Sequence, residues 1–224
     1  SLLIVLFELA KVGTLDSVIL DEAHMVDEWG AEFRPYYQIL SPILRSLRSL
    51  CPSGSGIKCF LMSATFTEKS IETVGGLFAS TDKPVVEIHG GFLRPEIQYS
   101  VCKVAGVEYD DAVLTAAKIL PKPLIIYMIK PSEAERFARQ LLRLDIKRVN
   151  TFTGQTPDSE RGELLKLWGA GDIDIMVATS AFGMGVDKGN VRSILHAGVP
   201  TNMDTFYQQV GRGGRDGLGC QSLL

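Results

Sequence analysis

The residues with the plainest chemical purpose are two adjacent acids, Asp21 and Glu22, followed by Ala23 and His24. They come straight after the apolar run Ser17-Val18-Ile19-Leu20. If that run is a buried parallel strand, the acids stand at its carboxyl end, where open α/β sheets place ligands. In a nucleotide-hydrolysing site the first acid, Asp21, would hold Mg2+, usually through its water shell. The second, Glu22, would orient and help deprotonate an attacking water. His24, two positions on, would be near enough to sense a γ-phosphate. The same tetrapeptide also fits a solvated acidic turn, and alone it does not decide between the two.

Two further stretches carry chemistry. In Thr179-Ser180-Ala181-Phe182-Gly183-Met184-Gly185-Val186-Asp187-Lys188, the glycines would let the backbone approach a phosphate or ribose closely. Asp187 could accept from a ribose hydroxyl and Lys188 could meet a phosphate. A glycine-rich strand-to-helix turn is the plainer alternative. In Gln208-Gln209-Val210-Gly211-Arg212-Gly213-Gly214-Arg215, two arginines stand three apart among glycines. Guanidinium groups are permanently charged and fork-shaped, so the pair suits the charge that develops on a transferring phosphoryl group. A basic solvated loop would explain the arginines alone.

These residues need a scaffold that alternates strands with helices. Short β-rich apolar runs at 17–20, 58–62, 85–89, 123–129, 149–152, 173–178 and 191–197 are separated by helical stretches, which predicts parallel α/β units. Ser132 and Glu135 fit a capping box that opens a helix running to about Leu144. Thr156-Pro157 before Asp158 and Glu160 fits an N-cap, a first-position proline and an acidic first turn. A later helix is expected over 202–210. Two blocks emerge, 1–90 and 91–224, with the Gly90-Gly91 pair as a hinge or a simple turn. The opening apolar run, 1–7, is expected to be a buried helix or strand; it lacks the basic flank and cleavage site of a signal peptide.

Taken in order, the motifs resemble RecQ helicases. Asp21-Glu22-Ala23-His24, Trp29-Gly30 and Phe33-Arg34-Pro35 are similar to that family's Walker B motif and aromatic-rich loop. Phe60-Leu61-Met62-Ser63-Ala64-Thr65 resembles the motif after its next strand, and Phe92-Leu93-Arg94-Pro95-Glu96-Ile97 its crossing into a second domain. The resemblance covers roughly 17–219 and implies two RecA-like parallel-sheet domains, the first truncated at its N-terminus. It implies ATP and Mg2+, with Asp21, Glu22, His24, Arg212 and Arg215 in catalysis. Ser63, Thr65, Gly185, Asp187 and Gln208 would meet the nucleotide. Trp29, Phe33, Arg34 and Lys188 would meet DNA, single-stranded and duplex, during movement in the 3′ to 5′ direction. Stacking of a base on an aromatic ring contributes about 1–3 kcal/mol and tolerates any sequence, although Trp29 and Phe33 would also serve as core residues.

The sequence departs from the family in several places. No G-x-x-x-x-G-K-[ST] occurs, so the phosphate-cradling loop is expected to precede this stretch. The start without Met fits a beginning inside a longer gene. The adenine-reading glutamine segment, the zinc subdomain and the winged helix are likewise not in this sequence. Gln209 stands where the family usually has glutamate, Gly213 where it usually has alanine, and Thr153-Gly154 where it has His-Ala-Gly. A net charge of −3 gives no global basic footprint for nucleic acid, so any grip on a backbone must be local. Cys51, Cys59, Cys102 and Cys220 form no metal-binding spacing and read as reduced thiols of a cytoplasmic or nuclear protein. Two rivals stay open: a helicase-like scaffold without turnover, and an RNA helicase of the wider superfamily.

Overall fold

The chain divides into two units, Ser1–Gly90 and Gly91–Leu224, each built of parallel strands and helices. The computed structural model describes residues 2–24, 35–52, 56–79, 85–104, 106–183 and 188–224.

In the first unit, α1 (Leu2–Lys11), α2 (Pro35–Leu50) and α3 (Glu68–Phe78) accompany β1 (Ser17–Leu20) and β2 (Lys58–Leu61). The two strands pair in parallel, with Leu20 opposite Leu61. Leu44, Leu47, Ile57, Val74 and Phe78 form the core, against which Val18, Leu20, Cys59 and Leu61 pack. Arg48 of α2 ties the unit together, donating from Nε to the Ile57 carbonyl (3.2 Å) and from Nη1 to that of Phe78 (3.0 Å). Thr67 caps α3 in a reciprocal capping box with Ser70.

Two expectations for this unit are corrected. The opening apolar run is helical, but only Ala10 of α1 is buried, and Leu2 and Ile4 are 77% and 62% exposed. Residues 85–89 form no strand. Val86 and Ile88 are 78% and 92% exposed there; β-branched residues favour a strand only where a neighbouring strand and an apolar face receive them.

The second unit is a six-stranded, wholly parallel sheet in the order β3-β8-β7-β4-β6-β5. Its elements are β3 (Ile97–Ser100), α4 (Tyr109–Ile119), β4 (Leu124–Met128), α5 (Pro131–Arg143), β5 (Val149–Phe152), α6 (Asp158–Ala170), β6 (Ile175–Ala178), β7 (Ser193–Ala197), α7 (Met203–Val210) and β8 (Cys220–Leu223). Strand alternation divides β4 between two cores. Leu124, Ile126 and Met128 pack with Phe137 and Leu141 of α5; Ile125 and Tyr127 pack with Trp168 of α6 and with Phe182. The α/β class expected from the pattern is thus observed, with parallel pairing throughout.

The helix starts differ from their sequence reading. α5 opens at Pro131 after Lys130, which makes no side-chain cap bond, so Ser132 does not form the expected capping box. α6 is preceded by Pro157 rather than capped by Thr156. The Thr156 hydroxyl instead accepts the Thr153 N–H at 2.9 Å and closes the turn after β5. Asn202 does cap α7, accepting the Thr205 N–H at 2.7 Å.

Candidate functional site

The carboxyl ends of β1 and β2 lie side by side, which brings the segments 21–24 and 62–65 together. The Met62 N–H donates to the Leu20 carbonyl and the Ala23 N–H to the Met62 carbonyl, each at 2.9 Å. Ala23 and His24 are buried, whereas Asp21 and Glu22 face solvent. Glu22 has a φ of +52°, a left-handed conformation uncommon for a residue with a side chain and concentrated at functional sites. Its N–H donates to Asp21 Oδ1 at 2.9 Å, and its Oε2 lies 3.3 Å from His24 Nδ1. Ser63 Oγ stands 2.8 Å from the same Nδ1, the imidazole tautomer setting which of the two donates. Ser63 Oγ also accepts the Thr65 N–H at 3.0 Å. The Thr65 hydroxyl oxygen is buried without a hydrogen-bond partner among the described residues. Five of the residues singled out in the sequence, Asp21, Glu22, His24, Ser63 and Thr65, therefore share one strand-end cluster.

In the second unit the arginine pair sits on a turn after α7. Arg212 is half-buried and donates from Nη1 to the Gly183 carbonyl at 2.6 Å. A Cβ on Gly183 would come within 2.6 Å of Arg212 Nη2, so the glycine admits the guanidinium. The hydroxyl of Tyr127 donates to the neighbouring Phe182 carbonyl at 3.2 Å; burial pushes that phenol up to about 12. Arg215 is exposed, its Nε donating to the Gly211 carbonyl at 3.1 Å. Gln208 is half-buried on α7, one turn before.

Two arginines that the sequence did not flag hold this turn. Arg94 donates to three of its carbonyls, those of Gly211 (3.2 Å), Gly213 (2.9 Å) and Gly214 (2.6 Å). Arg192 pairs with Asp216 and donates to the Gly219 carbonyl at 3.3 Å. Its hydrogen bond holds the Asp216 carboxyl below the usual range. A single Arg before Pro-Glu, or after a valine, has no periodic signal; its role exists only in the tertiary contacts.

Lys188 follows the undescribed stretch 184–187. Its side chain is nearly buried, with Nζ 3.4 Å from the Gly169 carbonyl at the end of α6 and 5.5 Å above the Trp168 ring. That position suits a cation, because the last carbonyls of a helix carry its negative dipole end. Desolvation lowers the lysine's pKa. Trp29, Phe33, Arg34, Gly185 and Asp187 lie outside the described residues.

With this geometry in view, residues 112–217 match the family described as helicase conserved C-terminal domain. Across the chain, the ATP-dependent DNA helicase RecQ of Bacillus subtilis is 32% identical over 212 residues, covering 92% of this chain and 33% of that protein. The ATP-dependent helicase SGS1 of Saccharomyces cerevisiae is 34% identical over 209 residues, covering 92% of this chain and 14% of its own length. The chain belongs to the RecQ family of helicases. It spans about a third of the first curated relatives it matches, among them a putative ATP-dependent DNA helicase Q1 of Caenorhabditis elegans, of which 33% is covered at 30% identity. Among solved structures, Mss116p bound to single-stranded RNA and AMP-PNP superposes with a TM-score of 0.67 at 24% identity, covering all of this chain and 46% of that one. Dbp5 of S. cerevisiae bound to RNA and ADP BeF3 gives 0.65 at 17%, covering 97% and 56%. At those identities the likeness establishes the RecA-like fold and no more.

The RecQ-family departures at Gln209 and Gly213 have local structural counterparts. Gln209 Oε1 is 2.9 Å from His196 Nε2 in the interior, and the imidazole stacks on Tyr127 with ring centres 5.5 Å apart. Burial drives His196 down to about 4, so it is neutral near pH 7 and a neutral amide suits it. Gly213 has no room for alanine: a Cβ there would fall 2.2 Å from Cys220 Sγ. Burial pushes that thiol up to about 11, so it stays protonated and acts as a packing group. Gly213→Ala is therefore expected to destabilise the chain by about 1–3 kcal/mol through overpacking. In the Cys220→Ala background the nearest contact left is the Cβ of residue 220 at 3.2 Å, so most of that cost should disappear. Chemical denaturation of the four proteins measures this coupling, and additive effects would show that the Cys220 sulfur does not set the choice of glycine.

Proposed function

We propose that the protein carrying this chain is a Mg-ATP-dependent DNA helicase, and that these residues form much of its motor. The observation that carries the reading is the Glu22–His24–Ser63 contact chain at the end of β1, with Asp21 beside it. The first unit, in this reading, is the later part of a first RecA-like domain, and the second unit is the second such domain.

The donor set fits Mg2+. Asp21 offers an exposed carboxylate at the end of β1. Mg2+ keeps several waters and takes one or two carboxylates together with substrate phosphates. Asp21 would hold the metal, which supplies charge neutralisation at the phosphates. Glu22 orients the attacking water and accepts its proton. His24 and Ser63 link that carboxylate to the end of β2 and report on its state. The buried Thr65 hydroxyl, without a partner among the described residues, supports a place for an incoming polar group. Arg212 and Arg215 stabilise the negative charge that develops on the transferring phosphoryl group.

The RecQ relatives are named DNA helicases, which favours DNA over RNA as the track. Trp29, Phe33 and Arg34 are the proposed contacts that transmit hydrolysis to single-stranded DNA, with movement 3′ to 5′ and action on duplex ahead. Gly185, Asp187 and Gln208 are proposed to meet the nucleotide. Among the described residues no helix is long and apolar enough to cross a membrane; a cytoplasmic or nuclear place, where DNA is, fits the activity.

The test is steady-state ATP hydrolysis by the natural full-length protein, with and without Mg2+ and single-stranded DNA. Hydrolysis that needs Mg2+ and rises with DNA is expected. Tight DNA binding without any turnover would make it a scaffold instead, and stimulation by RNA but not DNA would overturn the choice of track.

A further inference from the structure

The backbone of the arginine-bearing turn presents its carbonyls inward, and one side chain receives three of them. Arg94 Nη1 donates to the Gly211 and Gly213 carbonyls at 3.2 and 2.9 Å, and Nη2 to the Gly214 carbonyl at 2.6 Å. Those carbonyls bracket Arg212 and end next to Arg215. The guanidinium is itself fixed from behind: Glu96 Oε2 lies 3.5 Å from Arg94 Nε, close enough for an ion pair though not aligned as a hydrogen bond. The Glu96 carbonyl accepts the Cys220 N–H at 2.8 Å, which locks the base of the arrangement to the sheet edge.

The turn needs such a clamp. It contains three glycines in four positions, and Gly214 adopts a φ of +57°. Glycine loses more conformational freedom on folding than any other residue, so a run of this kind is loose unless its carbonyls are held. A planar guanidinium can hold several carbonyls at fixed mutual angles; a lysine ammonium cannot reproduce that fork.

We infer that Arg94 is a positioning residue for the arginine turn, setting the backbone from which Arg215 reaches the transferring phosphoryl group. The inference rests on the proposed role of Arg212 and Arg215 in ATP turnover. Arg94 touches no nucleotide in this scheme. Its loss lowers kcat through misplacement of the arginine, because small displacements of a charge-stabilising group forfeit much of its effect.

A double-mutant cycle in the natural full-length protein tests this. Arg94→Gln is expected to lower kcat about tenfold or more while leaving the KM for ATP within about twofold. In the Arg215→Ala background, where the positioned group is gone, the same substitution should lower kcat by less than about twofold. Arg94→Lys keeps a cation beside Glu96 and serves where the glutamine variant melts early; its losses should be smaller and follow the same pattern. Hydrogen exchange should quicken at the amides of 211–215 in both Arg94 variants, and not across the rest of the sheet. Normal kcat in both variants, equal losses in the two backgrounds, or a loss confined to KM would overturn the role of Arg94. Normal turnover in Arg215→Ala itself would overturn the catalytic reading underneath, whatever Arg94 does.

Discussion

Glu22→Gln is expected to lower kcat for DNA-stimulated ATP hydrolysis by between about 10² and 10⁴, the usual contribution of a positioned general base. The substitution is nearly isosteric. The amide can still follow the backbone at a φ of +52°, and the Glu22 N–H still has Asp21 Oδ1 to donate to. What disappears is the negative charge 3.3 Å from His24 Nδ1 and the capacity to take a proton from water. Asp21 is untouched, so nucleotide binding measured with a fluorescent ATP analogue should stay within about threefold of the parent. A steady-state assay in the natural full-length protein decides it. A kcat near the parent's would remove Glu22 from the chemistry and leave the acidic pair as a solvated turn.

The same cluster shows how far the sequence could be read. Most of the strands are legible as apolar runs: 17–20 and 149–152 coincide with β1 and β5, and the ends of the runs at 58–62, 123–129, 173–178 and 191–197 differ from the observed strands by one or two residues. The edge strand β3, Ile-Gln-Tyr-Ser, and its inner neighbour β8, Cys-Gln-Ser-Leu, are not legible in that way. In both, pairing within the sheet rather than local propensity makes the strand. The run at 85–89 had the better strand composition and formed none. For the site, the acids and the arginines announced themselves by type and spacing. Arg94, Arg192, Tyr127 and His196 did not, since each works through carbonyls or rings distant in sequence. The partners of Lys188, Gly169 and Trp168, are likewise distant in sequence.

Arg215→Ala should show the largest effect of all, a loss of turnover of about 10³ or more, as expected for an arginine that stabilises a transferring phosphoryl group. The side chain is exposed and anchored through Nε to the Gly211 carbonyl, so its removal should leave thermal melting almost unchanged, within about 0.5 kcal/mol. Arg212 makes the contrasting case. It is half-buried, bonded to the Gly183 carbonyl at 2.6 Å, and lodged where that glycine leaves space. Arg212→Ala should therefore cost turnover and also about 1–3 kcal/mol of stability, because a partly buried carbonyl loses a charged donor. Arg212→Lys keeps the charge but not the fork, and should recover stability better than rate. If both arginines serve one developing charge, the double variant should turn over little more slowly than Arg215→Ala alone. Rate losses that multiply in full would mean that the two act on separate steps. An Arg215→Ala enzyme within about threefold of the parent would show that the exposed arginine serves neither.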